Sequence, residues 1–168
     1  MKERSAAELT ELASDIEAEL TALSRLEGEI QRVVGEVRAD PARADLFREN
    51  LAFKLHNFYT GCEHIFQLVA SEVNGALPTG YDWHKRLLDR MAQPRDERPA
   101  LLSTHTAQAL NEYLAFRHVV RNIYGFRLEA ERVDQLVARY PEVWRHVWAD
   151  VSAFTEWLRA LATHLSED

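Results

Sequence analysis

One periodic stripe constrains this chain more than anything else in it. Leu9, Leu12, Ile16, Leu23, Leu26, Ile30, Val33 and Val37 recur at spacings of three, four and seven, and nothing breaks the pattern before Asp40-Pro41. The spacing predicts one helix of about 30 residues, near 45 Å at 1.5 Å per residue. Its start is written into the sequence as well. Ser5-Ala6-Ala7-Glu8 reads as a capping box, in which the serine side chain takes an orphan backbone N–H and the glutamate reaches back to the cap. The stripe is narrow and heptad-like, which suits packing in a bundle or along a partner's helix. A chain of this composition is expected to use it in a bundle.

The rest of the composition agrees with a helical domain. The chain has 168 residues, 46% of them hydrophobic, which is enough for one domain, residues 1–168, with a real core. Only 6 glycines and 5 prolines occur, against abundant Leu, Ala, Glu and Arg, so the expected class is all-α, an up-and-down bundle of about five to six helices. The single cysteine, Cys62, rules out an internal disulfide framework and fits a reducing cytoplasm. The N-terminal stretch is charged and amphipathic, and no run of about 18 apolar residues appears, so neither export by a signal peptide nor a membrane span is expected. A formal charge of −7 argues against a general nucleic-acid coat protein, while leaving room for one small basic cleft on an acidic body.

Further along, Asp40 is expected to cap a second helix that Pro41 opens. Its buried side should carry Leu46, Leu51, Leu55, Tyr59, Cys62, Phe66, Val69 and Val73, with Asn74-Gly75 closing it and the first two helices antiparallel. His56, Cys62 and His64 resemble metal ligands in type only. Cys62 and His64 point about 160° apart on a helix, so no metal is expected there. Gly75 to Gly80 is a loop, Tyr81 to Met91 a short helix with Trp83, Leu87 and Leu88 on one side, and Gln93 to Pro99 a connector. A helix from Leu101 or Ser103 to Tyr124 follows, then a short one over Glu129–Arg139 interrupted at Tyr140-Pro141. The last helix starts at Pro141, with Val143, Val147, Val151, Phe154, Leu158, Leu161 and Leu165 on its apolar side. Trp144, Trp148 and Trp157 widen that side, toward a deeper core or a subunit interface.

Chemistry is concentrated in Phe116-Arg117-His118-Val119-Val120-Arg121-Asn122-Ile123-Tyr124-Gly125-Phe126. At about 100° per residue, Arg117, Arg121 and Tyr124 fall within roughly 60° of one another, with His118, Asn122 and Gly125 alongside and Phe116, Val119, Val120 and Ile123 opposite. Two arginines one turn apart suit a phosphodiester, and a neighbouring histidine suits proton transfer to or from a ribose hydroxyl, a combination that serves metal-free RNA cleavage. The competing reading is an arginine-rich surface helix whose guanidiniums pair with carboxylates of neighbouring helices. Gly-rich phosphate loops, Cys-x-x-Cys, His-Glu-x-x-His and Gly-x-Ser-x-Gly are all absent from the sequence.

A helical chain of this length whose penultimate long helix ends in this way resembles the HepT-like toxins of the HEPN superfamily, which carry Arg-x(4–6)-His, commonly as Arg-Asn-x3-His-x-Tyr. Phe116 and Arg117 fall on the family's Phe-Arg, His118 on its polar neighbour, Asn122 on its catalytic His, and Tyr124 on the Tyr two residues beyond. The resemblance implies a homodimer with the two motif helices facing across a cleft that cleaves RNA without metal or cofactor. In that cleft Arg117 and Arg121 would hold phosphate. It also implies a cognate nucleotidyltransferase antitoxin, which in some systems adds AMP to the motif Tyr, here Tyr124. One departure stands out: Asn122 occupies the place of the catalytic His, while His118 lies one turn earlier, as if amide and imidazole had been exchanged between neighbouring positions i and i+4. Either His118 supplies the proton transfer, or the chain binds RNA or its partner without cutting.

Overall fold

A computed structural model describes residues 4–73, 75–95, 97–121 and 130–167, and for 118–121 the backbone alone. It contains five α-helices: α1 (Ala6–Ala39), α2 (Ala44–Glu72), α3 (Trp83–Met91), α4 (Thr104–Arg121) and α5 (Ala130–Glu167), and no strand among the described residues. The chain is an all-α bundle, as its composition and periodicity require.

The first helix forms as its sequence dictates. Ser5 is the N-cap, its Oγ accepting from the Glu8 N–H at 3.3 Å while Glu8 accepts from the Ser5 N–H at 2.8 Å. Leu9, Leu12, Ile16, Leu20, Leu23 and Ile30 are buried, and Leu26, Val33 and Val37 border the core. Ion pairs fix the register of the neighbouring helix. Arg4 meets Glu72, Glu19 meets His64 and Glu29 meets Lys54, so residue numbers fall along α2 as they rise along α1 and the two run antiparallel. Gly61 of α2 lies against Leu23 of α1, where an added Cβ would come within 2.6 Å of Leu23 Cδ2.

Three local expectations need correction. Asp40 makes no side-chain cap for a second helix; its N–H bonds the Glu36 carbonyl and ends α1, and Pro41–Arg43 forms a 3-10 turn before α2 begins at Ala44. Leu46 is 66% exposed, because it lies about 180° around α2 from Leu55 and shares its face with Phe53, itself 60% exposed. The remaining expected α2 residues, Leu51, Leu55, Tyr59, Cys62, Phe66, Val69 and Val73, are buried, joined by Phe58 and Ile65.

Pro141 is the third. It lies inside α5, which runs unbroken over 38 residues, rather than separating two helices. An interior proline costs about 3 kcal/mol through its missing N–H and its clash with the preceding turn. Against that stand Val133, Leu136 and Tyr140 before it and Val143, Val147 and Val151 after it, each buried and each contributing roughly 1.5–3 kcal/mol. Breaking the helix would swing one of those groups off the core, so burial decides the outcome. Pro141 itself faces outward, at a shallow cleft lined also by Val34 and Val37 of α1 and Val137 of α5.

The helix α5 binds the bundle together. Arg159 pairs with Glu17 of α1, Arg48 of α2 with Asp134, and Arg139 with Glu112 of α4. At the centre, Phe58 of α2 meets Tyr113 of α4 and Tyr140 of α5 edge-on, and the Tyr113 hydroxyl donates to the Leu136 carbonyl at 2.9 Å. Trp144 and Trp157 pack against the core, whereas Trp148 is 43% exposed, so the aromatic widening of α5 is part core and part surface. The helix α3 buries Leu87, Leu88 and Met91 and begins at Trp83, after Gly75 (φ 78°) and Gly80 (φ 102°) have turned the loop. No helix among the described residues is long and apolar enough to cross a membrane.

Candidate functional site

The periodicity of α4 as folded gives Arg117 an unexpected position. Leu110, Tyr113, Leu114 and Phe116 are buried, and Arg117, seven residues after Leu110 and four after Tyr113, continues that stripe into the bundle instead of standing on an exposed polar edge. Only 7% of it is accessible. A guanidinium in such a place needs a counter-charge, since an unpaired buried ion costs several kcal/mol.

The α2 helix supplies it. Glu63 is 3% exposed, four residues after buried Tyr59 and three before buried Phe66, so it too projects from the core-facing side. Its Oε1 accepts from Arg117 NH1 at 2.5 Å and its Oε2 lies 2.5 Å from His84 Nδ1, at the start of α3. An ionised carboxylate can only accept, so Nδ1 carries the proton in that contact. With its lone pair thus occupied, Nδ1 cannot also accept from Arg117 NH1 3.4 Å away, and that approach is proximity rather than a hydrogen bond. The His84 ring lies over that of Trp83, centroids 3.7 Å apart. Carboxylate, guanidinium and imidazole sum to zero with the imidazole neutral and to one positive charge when it is protonated.

Among the described residues, two buried polar atoms at this trio have no hydrogen-bond partner, Arg117 Nε and the neighbouring Tyr59 hydroxyl. Burial pushes the Tyr59 phenol far above its ordinary range, nearby Glu63 pushes the same way, and Arg117 opposes them, so Tyr59 stays protonated. The arrangement anchors a cation at the root of the motif segment and fixes the tautomer of one histidine beside it. The Arg117 guanidinium is thus paired with a carboxylate of a neighbouring helix, as the competing reading of the motif arginines expects, and the imidazole beside it is held by the same carboxylate.

Of the motif residues Arg117, His118, Arg121, Asn122 and Tyr124, Arg117 alone has a described side chain. His118 and Arg121 lie in the last turn of α4, where the backbone is described, and Asn122 and Tyr124 lie outside the described residues. Glu63 and His84 were missed. Glu63 was legible as a lone acid at core spacing on α2, whereas His84 carries no signal that distinguishes it from an ordinary surface histidine. Cys62 is fully buried and burial pushes its thiol well above its ordinary range, so it is inert, and His64 pairs with Glu19 on the outside of the bundle.

A family model described as HepT-like protein matches residues 50–158, more than half of the chain, including Glu63, His84 and the whole segment from Phe116 to Phe126. No curated protein and no solved structure matches the chain.

Proposed function

The chain belongs to the HepT-like family, and from that premise we propose that it is the ribonuclease toxin of a HepT/nucleotidyltransferase toxin–antitoxin pair. It cleaves RNA without metal, in the cytoplasm, in a cleft where the motif helices of two subunits face each other. Arg117 and Arg121 hold the scissile phosphate. His118 exchanges a proton with the ribose hydroxyl, and Asn122 supplies the amide that accompanies the imidazole. The observation that carries this reading is the convergence of α2, α3 and α4 on Arg117. Burying the Glu63–Arg117 pair beside half-buried His84 is costly, and apolar side chains would fill the same space at less cost. Glu63 and His84 position the guanidinium. Tyr124 is the residue that a cognate nucleotidyltransferase modifies with AMP, and exposed Trp148 on α5 supports a homodimer.

The test is cleavage of a mixed cellular RNA pool in EDTA by tag-free protein, beside His118→Ala and Arg121→Ala, with helicity compared by circular dichroism. Cutting that survives the chelator and falls at least a hundredfold in His118→Ala supports the assignment. A His118→Ala protein that cuts as fast as its parent refutes it. Arg117→Ala is read beside the others, since it leaves the Glu63 carboxylate buried and unpaired.

Two observations favour a second reading: Arg117 is already neutralised within its own subunit by Glu63, and the amide of Asn122 cannot accept a proton near neutral pH. On this reading the chain is a HepT-like protein that binds RNA or its nucleotidyltransferase without cutting. Wild-type protein purified free of any partner and unmodified at Tyr124, yet inactive on RNA, is the outcome that selects it. Light scattering at micromolar concentration reporting a monomer would remove the two-subunit cleft from either reading.

A further inference from the structure

Far along α4 from Arg117, a second group of side chains meets that no part of the proposed RNA chemistry uses. His105 lies in the first turn of α4, and Glu142 and His146 lie one turn apart on α5, at i and i+4, so that they share a face. Each offers one ligand atom, and the three atoms lie within 4.8 Å of one another. Among the described residues none of the three side chains is committed to an ion pair, and His146 Nδ1 is buried with no hydrogen-bond partner. We propose that His105, Glu142 and His146 form a binding site for a zinc-class divalent ion, bridging the start of the motif helix to the middle of α5.

Ligand bonds of about 2.0–2.2 Å in a tetrahedral field place donor atoms about 3.4 Å apart, so the three donors, within 4.8 Å of one another, reach an ion by side-chain rotation of the two exposed ligands, His105 and Glu142. Two imidazoles bound to one tetrahedral ion have ring centres about 5 Å apart by the same bond lengths; the His105 and His146 centroids are 5.0 Å apart, crossed at 81°. Two imidazoles with one carboxylate select zinc, cobalt or nickel over magnesium and calcium, which prefer oxygen donors. Three protein ligands leave the fourth position to water. The ion acts as a clip between α4 and α5, joining the Ser103–Asp150 contact, 2.8 Å from N–H to carboxylate, at the same end of α4. This inference does not depend on the ribonuclease reading, because a clip at this place stabilises α4 whether or not the motif cuts RNA.

The experiment uses the full-length, tag-free chain stripped with EDTA and dialysed. Cobalt(II) is titrated and followed between 500 and 700 nm, zinc(II) is titrated by calorimetry, and magnesium(II) serves as the comparison. Expected are one cobalt per chain with tetrahedral d–d bands, zinc binding at micromolar Kd or tighter, no magnesium binding, and a melting temperature raised by zinc and by cobalt but not by magnesium. His105→Ala and Glu142→Gln, both at exposed positions and so compatible with folding, should each weaken zinc at least tenfold, and His146→Ala likewise, while His164→Gln leaves it unchanged. Zinc binding no tighter than 0.1 mM overturns the proposal. So does tight binding that survives His105→Ala and Glu142→Gln in folded protein.

Discussion

Glu63→Ala is the substitution whose cost follows most directly from the structure. It removes the carboxylate that receives both Arg117 NH1 and His84 Nδ1, each at 2.5 Å, and leaves a 7%-exposed guanidinium without a counter-ion. Breaking a buried ion pair from one side costs about 3–5 kcal/mol. For a domain of this size, with roughly 5–15 kcal/mol in total, that is a large share. At about 2–4 °C per kcal/mol it lowers Tm by roughly 6–20 °C. Because the cost comes from the orphaned charge more than from a lost attraction, the double variant Glu63→Leu, Arg117→Leu should recover most of it, since replacing a buried pair by apolar groups is often neutral. Urea unfolding followed by circular dichroism of the parent, Glu63→Leu, Arg117→Leu and the double variant, at one protein concentration, gives the four corners of the cycle. A coupling energy of about 2 kcal/mol or more is expected. A loss under 1 kcal/mol for Glu63→Ala, or a double variant as unstable as the sum of the singles, would refute the view that these charges are desolvated together.

Gly28 and Gly61 should respond oppositely to alanine. Nothing lies within 4 Å of a Cβ at Gly28 in the exposed middle of α1, so Gly28→Ala should stabilise by about 0.5–1 kcal/mol through helix propensity. At Gly61 the new methyl meets Leu23, and Gly61→Ala should cost about 1–3 kcal/mol by overpacking, both read from urea midpoints. The Arg159 guanidinium holds the Glu17 carboxyl below its ordinary 4.5. A carboxylate depressed on folding contributes stability that is present above its unfolded pKa and lost as pH falls through the folded one, so this pair helps at pH 7 and not at pH 2. Arg159→Met should therefore cost a little stability at pH 7, the pair being solvent-screened, and none at pH 2, as pH-dependent urea melts will report. Cys62 should resist an aromatic disulfide reagent in native protein and react at once in denaturant, since burial disfavours its thiolate; rapid native reaction would contradict the packing of α2.

What could be read from the sequence was what is decided within a few residues. The N-terminus of α1 and its stripe were legible because cap and periodicity are both local. The unbroken α5 was not, because the penalty of Pro141 is local and the six buried residues that overrule it act through partners on other helices. Leu46 was misplaced by counting it with Leu51, from which it lies about 140° away on α2. At the site, the motif segment advertised itself by composition, but the side of α4 that Arg117 takes depends on Glu63, 54 residues earlier. His84 and the His105, Glu142, His146 group exist only once separate helices are brought together.

The pairing of α1 with α5 has a consequence for synthesis. During translation, α1 emerges roughly 90 residues before the first turn of the helix it must pack against. At about 5–20 residues per second, its apolar stripe waits on the order of 5–20 s for that partner, with only α2 to cover it. Until α5 is made, the nascent chain has no closed bundle, and the motif segment, which precedes α5, is presented on an incomplete core. A ribosome carrying this chain therefore displays α4 before the bundle around it is closed.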